Sequence, residues 1–129
     1  MLFSNQLFRS MPTAYICKQL EKNIPIGTNS ESVINIIKSN KEWTQEGELR
    51  DCSDIVFDFP FTFSIYSFND IDYSQSKSGC EIGASFELSV ELGRTPGAPF
   101  WGSSTHAIFF FDDEEKLIDI LVYKEHIGP

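Results

Sequence analysis

The chain has 129 residues, 41% of them hydrophobic and 14% aromatic, a composition that suits a packed core and excludes a disordered segment. This length predicts one domain, 1–129, able to bury roughly 65–70% of the surface of its unfolded form. The net charge is −9, and it lies unevenly: residues 42–91 hold eleven acids and two bases, 1–41 two acids and five bases, 92–129 six acids and three bases. Such a field repels phosphate backbones and anionic lipid and attracts cationic partners, so no nucleic acid is expected.

Residues 1–10 either extend the first helix or fray, since Leu2, Phe3, Leu7 and Phe8 are helically spaced. Pro12 suits the first turn of a helix running to about Lys22, with Tyr15, Ile16 and Leu20 as its apolar stripe. Pro25 and Gly27 interrupt the pattern. A second helix opens at Thr28-Asn29-Ser30-Glu31, with Asn29 as cap or Thr28 and Glu31 as a capping box. Val33, Ile34, Ile36 and Ile37 are its buried stripe, and Ser39-Asn40 its exit.

Residues 43–53 read as polar and irregular. From Ile55 the period becomes two: Phe57, Phe59, Phe61, Phe63 and Ile65 share one face. Pro60 cannot donate to a ladder, which makes this an edge or interrupted strand, and Tyr66 and Phe68 shift the alternation as a bulge or strand end would. Residues 69–79 read as a loop. The longest alternation in the chain then runs from Glu81 to Leu92: Ile82, Ala84, Phe86, Leu88, Val90 and Leu92 on one side, and Glu81, Glu87 and Glu91 on the other, predicted wet, side. A loop, 93–102, carries Phe100 and Trp101. The last unit is a hairpin of residues 106–111 and 117–124 around Asp112-Asp113-Glu114-Glu115, with Ile118, Ile120 and Val122 buried. The fold class is therefore α+β: two N-terminal helices packed on one face of an antiparallel sheet of about four strands, the other face wet.

Cys17, Cys52 and Cys80 include no Cys-x-x-Cys pair, so a zinc site is not expected. A Cys52–Cys80 disulfide in an oxidising compartment and three reduced thiols in the cytosol both stay open. No apolar run is long enough to span a bilayer. The first residues lack a signal peptide's basic and apolar regions, so the chain reads as cytoplasmic, the alternative being a periplasmic protein whose signal has been removed.

Pro25-Ile26-Gly27-Thr28-Asn29-Ser30-Glu31-Ser32-Val33, with Ile36-Ile37 behind it, resembles the helix-opening motif of the small SmpA/OmlA-type lipoproteins. The end of the chain, from Ile108 through Asp112-Asp113-Glu114-Glu115-Lys116-Leu117 to Val122, resembles their last hairpin. Matching segments cover about a quarter of the chain. In it Asn29 stands for the usual Ser cap, Ser32 for the usual Glu or Gln, the hairpin has no Gly, and no lipobox cysteine precedes the first helix. The resemblance implies a helix pair on an antiparallel sheet, as in the proteinaceous β-lactamase inhibitors, and a non-catalytic protein-binding role.

No motif calls for catalysis, a metal or a cofactor. Ser103, Ser104 and His106 are close in sequence, but a nucleophile needs an orienting acid and an oxyanion hole, and these serines follow a Pro/Gly loop. Consecutive carboxylates at 112–115 cannot converge on one calcium ion. Glu87 and Glu91, four residues apart on a strand, stand about 13 Å apart, too far for a glycosidase pair. The expected role is an acidic protein-binding module, an immunity protein that neutralises a basic bacterial toxin, the alternative being a periplasmic outer-membrane-assembly lipoprotein or structural subunit. The expected contacts are Asp58, Glu81, Glu87 and Glu91 as charges and Phe100 and Trp101 as anchors.

Overall fold

A computed structural model describes residues 11–55, 62–73, 78–96 and 102–127. The expectations for residues 1–10, for Phe57–Phe61 with Asp58 and Pro60, and for Phe100 and Trp101 lie outside them. Helix α1 (Thr13–Asn23) starts after an extended Pro12, whose carbonyl accepts from the Ile16 N–H at 3.0 Å. Ile16 and Leu20 are buried as expected, but Tyr15 is 42% exposed, and Cys17 takes its place in the core. Helix α2 (Ser30–Ser39) begins and ends as its local signals require. The Asn29 side chain accepts from the Ser32 N–H at 2.9 Å, and Val33 and Ile37 are buried. That cap is encoded by two residues three positions apart.

The sheet has six strands among the described residues, not about four: β1 (Thr44–Gln45), β2 (Arg50–Asp51), β3 (Thr62–Ser67), β4 (Phe86–Pro96), β5 (Gly102–Phe111) and β6 (Leu117–Ile127). All pairings are antiparallel. The order is β1-β4-β5-β6-β3, with β2 also on the free edge of β4. The two extra strands come from the 43–53 stretch read as irregular; two residues each are too few to show a period. Among the described residues β3 lies at an edge of the sheet. Its bulge falls between Phe63 and Tyr66, where Ser64 has φ 52. The bulge parts residues expected on one face: Phe63 pairs with Lys124 and Tyr66 packs with the helix-side core, whereas Ile65 packs on the opposite side.

Strand β4 starts at Phe86, five residues later than Glu81. Residues Gly79–Ile82 form a short 3-10 helix, η1, capped by Ser78 and ended by Gly83 at φ 94. Ser78-x-x-Glu81 has the capping pattern, and the alternation before Phe86 does not mark one face: Ile82 and Ala84 pack in the outer core, Phe86 with the inner one. The final hairpin turns where predicted, and its open end is longer, starting at Gly102 and finishing at Ile127. Its turn needs no Gly because Glu115 adopts φ 59, and its carboxylate accepts from the Ser30 hydroxyl at 2.6 Å. The same turn exchanges backbone hydrogen bonds with residues 27–30, so it fixes where α2 begins.

Two cores sandwich the sheet. On the inner face Leu88, Val90, Leu92, Ala107, Phe109, Ile120 and Val122 meet Ile16, Cys17, Leu20, Val33 and Ile37, most of them fully buried and each worth roughly 1.5–3 kcal/mol for a large side chain. The outer face is not left wet. Ile108, Phe110 and Leu121 pack there under Tyr73, from a stretch read as a loop, and under Ile55 and Ala84, both expected in strands. A bond between Cys52 and Cys80, with Cα atoms 5.4 Å apart, ties two of those connections together. Ile118 belongs to this outer side, because Phe111 pairs with Leu117 and Phe110 with Asp119, which leaves Ile118 as the extra residue of a bulge.

Candidate partner-binding face

The outer face changes character along the sheet. At one end it is apolar; at the other, register places polar residues side by side: Glu91 opposite His106, His106 opposite Tyr123, Ser104 opposite Glu125, and Glu125 opposite Thr62. Glu87 and Glu91 do share this face, as the alternation predicts, but neither is a free surface charge. Glu87 is 1% exposed, so the expectation of a wet contact residue is corrected. Its Oε2 accepts from Arg50 Nε at 3.1 Å and Nη2 at 2.9 Å, and its Oε1 from the Ser53 N–H and hydroxyl at 2.8 and 3.1 Å. Arg50 Nη2 also donates to Ser89 Oγ at 3.0 Å. A carboxylate can leave water only when paired and fully hydrogen-bonded; Arg50 of β2 supplies the charge, and Ser53 just after β2 the remaining donors. Glu91 is half-buried and takes Arg94 Nε at 3.2 Å. Glu81 is exposed on η1, next to the disulfide that joins it to the β2 side.

Between the apolar and polar halves lies a cavity of about 270 Å³. Glu87, Ser89 and Ile108 form its base, and Asp54, Ile55, Tyr123 and Glu125 are among its walls. Beyond it, Ser104 Oγ and His106 Nε2 lie 2.7 Å apart, and His106 Nδ1 lies 2.9 Å from Glu46 Oε1. The lengths match a nucleophile relay, with Glu46 as the orienting acid that sequence inspection could not see because it lies 60 residues away. The electrostatics differ. Glu125 Oε1 stands 3.2 Å from the same Nε2, a carboxylate where a developing oxyanion would need donors. Ser104 itself is 4% exposed. The ring stacks on Tyr123 with centroids 5.1 Å apart, and burial pushes the Tyr123 phenol upward from its ordinary ionisation range, with the Glu125 and Glu46 charges adding to it. As a group these residues rivet the polar end of the sheet.

A second buried carboxylate, Asp119, holds the connection after β3. Its Oδ2 accepts from Ser67 and Tyr73 hydroxyls, each at 2.7 Å, and its Oδ1 from the Asn69 N–H and side-chain amide, each at 3.0 Å. Among the described residues no group of three His, Cys, Asp or Glu is placed to hold a metal ion, and no helix is long and apolar enough to cross a membrane.

The exposed negative charge lies elsewhere, on the segment that covers the edge of β4. Glu42, Glu46, Glu48, Asp51 and Asp54 are all exposed, while the one arginine in this stretch, Arg50, is engaged by Glu87. The fold and this edge define an α+β protein with a helix pair on one face of an antiparallel sheet and an acidic rim along one side. Compared with known protein families, curated proteins and solved structures, the chain matches none of them.

Proposed function

We propose that the chain is a non-catalytic acidic protein-binding module whose partner is a basic protein domain, an immunity protein that neutralises a bacterial toxin being its most specific form. The observation that carries this reading is the rim: five exposed carboxylates between residues 42 and 54, where the single arginine, itself half-exposed, is ion-paired with the buried Glu87. An acidic rim speeds encounter with a basic partner and masks a cleft built to hold phosphate. Relative to the sequence expectation, Glu81 joins the rim, Glu87 leaves it, and Glu91 is shared with Arg94. The Cys52–Cys80 bond supports an oxidising compartment over the cytoplasm for such a module, and with it the second reading, a periplasmic assembly or structural subunit. Co-purification with the product of the adjacent gene, repeated at low and high salt, tests the proposal. A complex that weakens steeply with salt is expected; absent or salt-independent binding refutes it.

A further inference from the structure

We propose that the cavity on the outer face receives one guanidinium- or ammonium-bearing side chain of a partner protein. The inference rests on the docking reading above and names the contact within it. At about 270 Å³ the space is smaller than the roughly 300–1,000 Å³ of sites that take drug-sized ligands, which suits one extended side chain and not a nucleotide or cofactor. Ile55 and Ile108, 8% and 6% exposed, supply apolar surface for a methylene stem. Asp54, from the connection after β2, and Glu125, on β6, bring carboxylates to the same space from different elements.

The charge balance decides the sign of the occupant. Three carboxylates and one arginine line the cavity. Arg50 and Glu87 neutralise one another at its base, which leaves Asp54 and Glu125 as the remaining carboxylates of the lining, Glu125 also lying 3.2 Å from His106 Nε2. The Tyr123 phenol, kept un-ionised by burial, adds no charge. An anion entering here meets two carboxylates, whereas a cation makes charge-assisted hydrogen bonds to them. The cavity already holds one guanidinium in this manner: Arg50 lies across Glu87 and Ser89. A lining drawn from β2, β4, β5 and β6, with a hydrogen-bonded ion pair within it, distinguishes this place from the exposed acids of the hairpin tip.

The test uses the whole chain and small probes, followed by amide-resolved NMR. Nα-acetyl-arginine amide and Nα-acetyl-lysine amide are expected to produce saturable shifts centred on Ser89, Ile108, Tyr123 and Glu125. Nα-acetyl-citrulline amide, which has nearly the same shape without the charge, is expected to bind about tenfold more weakly, the equivalent of one charged hydrogen bond. Asp54→Asn and Glu125→Gln are expected to weaken arginine binding severalfold, and Glu114→Gln at the hairpin tip to leave it unchanged. Asp54 is exposed, so Asp54→Asn probes the site even where Glu125→Gln disturbs the sheet. Equal binding of citrulline, shifts without saturation, or indifference to Asp54→Asn overturns the proposal. The probes contain no partner. Saturable arginine binding with failed co-purification therefore refutes only the docking reading, and a salt-sensitive complex indifferent to Asp54→Asn and Glu125→Gln refutes only the cavity.

Discussion

Asp119 is completely buried and accepts four hydrogen bonds, from Ser67 at the end of β3 and from Asn69 and Tyr73 beyond it, so its removal gives a graded test of what fastens the connection after β3. In Asp119→Ala the Asn69 donors can turn to water, because Asn69 is exposed. The Ser67 and Tyr73 hydroxyls cannot, at 2% and 1% exposure, and each stranded group costs about 1–3 kcal/mol. Together with the carboxylate's lost volume this makes about 4 kcal/mol. Unfolding entropy of about 2.1 cal/mol/K per residue over 129 residues is about 270 cal/mol/K, so the expected fall in Tm is about 15 °C. Asp119→Asn keeps the shape, can present its carbonyl to Asn69 and its amide to the hydroxyl oxygens, and loses only charge assistance, about 1–2 kcal/mol. Tyr73→Phe removes one donor and strands none, for about 1 kcal/mol. The assays are thermal and urea unfolding of the three variants, with absorbance at 295 nm to follow tyrosinate. Burial, the hydrogen bond to Asp119 and the Asp119 charge, in that order, push the Tyr73 phenol upward, so Asp119→Ala is expected to let it ionise at lower pH. Equal stability of Asp119→Ala and Tyr73→Phe, or an unmoved Tyr73 titration, would show that the carboxylate is not the anchor.

Reducing the Cys52–Cys80 bond reopens a loop of sequence separation 28, for an expected loss of about 3.5 kcal/mol in urea unfolding with and without a phosphine reductant; a loss under 1 kcal/mol would refute the constraint. Gly79→Ala places a methyl 2.8 Å from the fully buried Phe110 ring, so a destabilisation of about 1–3 kcal/mol is expected, whereas Gly83→Ala strains a positive φ without a clash. Burial raises the Cys17 thiol to about 12, and the native protein is expected to leave it unmodified by a thiol reagent that reacts fully in urea. Stability is expected to fall with pH above about 9. The Cys17, Tyr73 and Tyr123 ionisations are all raised in the folded state, so each contributes stability that is complete below its unfolded pKa and is lost above it, at up to about 1.4 kcal/mol per group per pH unit. Lys124, lowered by burial, acts oppositely but is one group against three. A flat urea midpoint between pH 8 and 11 would contradict this.

Legibility in the sequence followed the range of the interaction. The α2 cap is decided by Asn29 and Ser32, three residues apart, and the last hairpin by a turn of acids between apolar strands, so both were readable. Periodicity also separated the two sides of β4 correctly from Phe86 onward. What it could not supply was which side is covered. Glu87 looks like a solvent residue until Arg50 and Ser53, 37 and 34 positions away, are placed beside it. Asp119 left a signal that went unread: a lone acid inside the apolar run from Leu117 to Val122 must be paired when buried. Tyr73 left none, because nothing local distinguishes a loop aromatic that closes a second core from one that lies in solvent.

Exposed acids on a sheet edge have a purely structural use, since charge discourages edge-to-edge association. The two edges of this sheet show how much of that use the rim can account for. At the opposite edge β3, Thr62–Ser67, has no charged residue and relies on its bulge at Ser64 to break the ladder. At the β4 edge, β1 and β2 are two residues each, already too short to template another strand, and still the segment around them exposes five carboxylates. Edge protection in this fold therefore works without acids on one side and scarcely needs them on the other. The surplus falls beside the cavity between Asp54 and Glu125, where Arg50 is already paired with Glu87. That coincidence of surplus charge and a cavity is what an acidic rim built only for solubility does not predict.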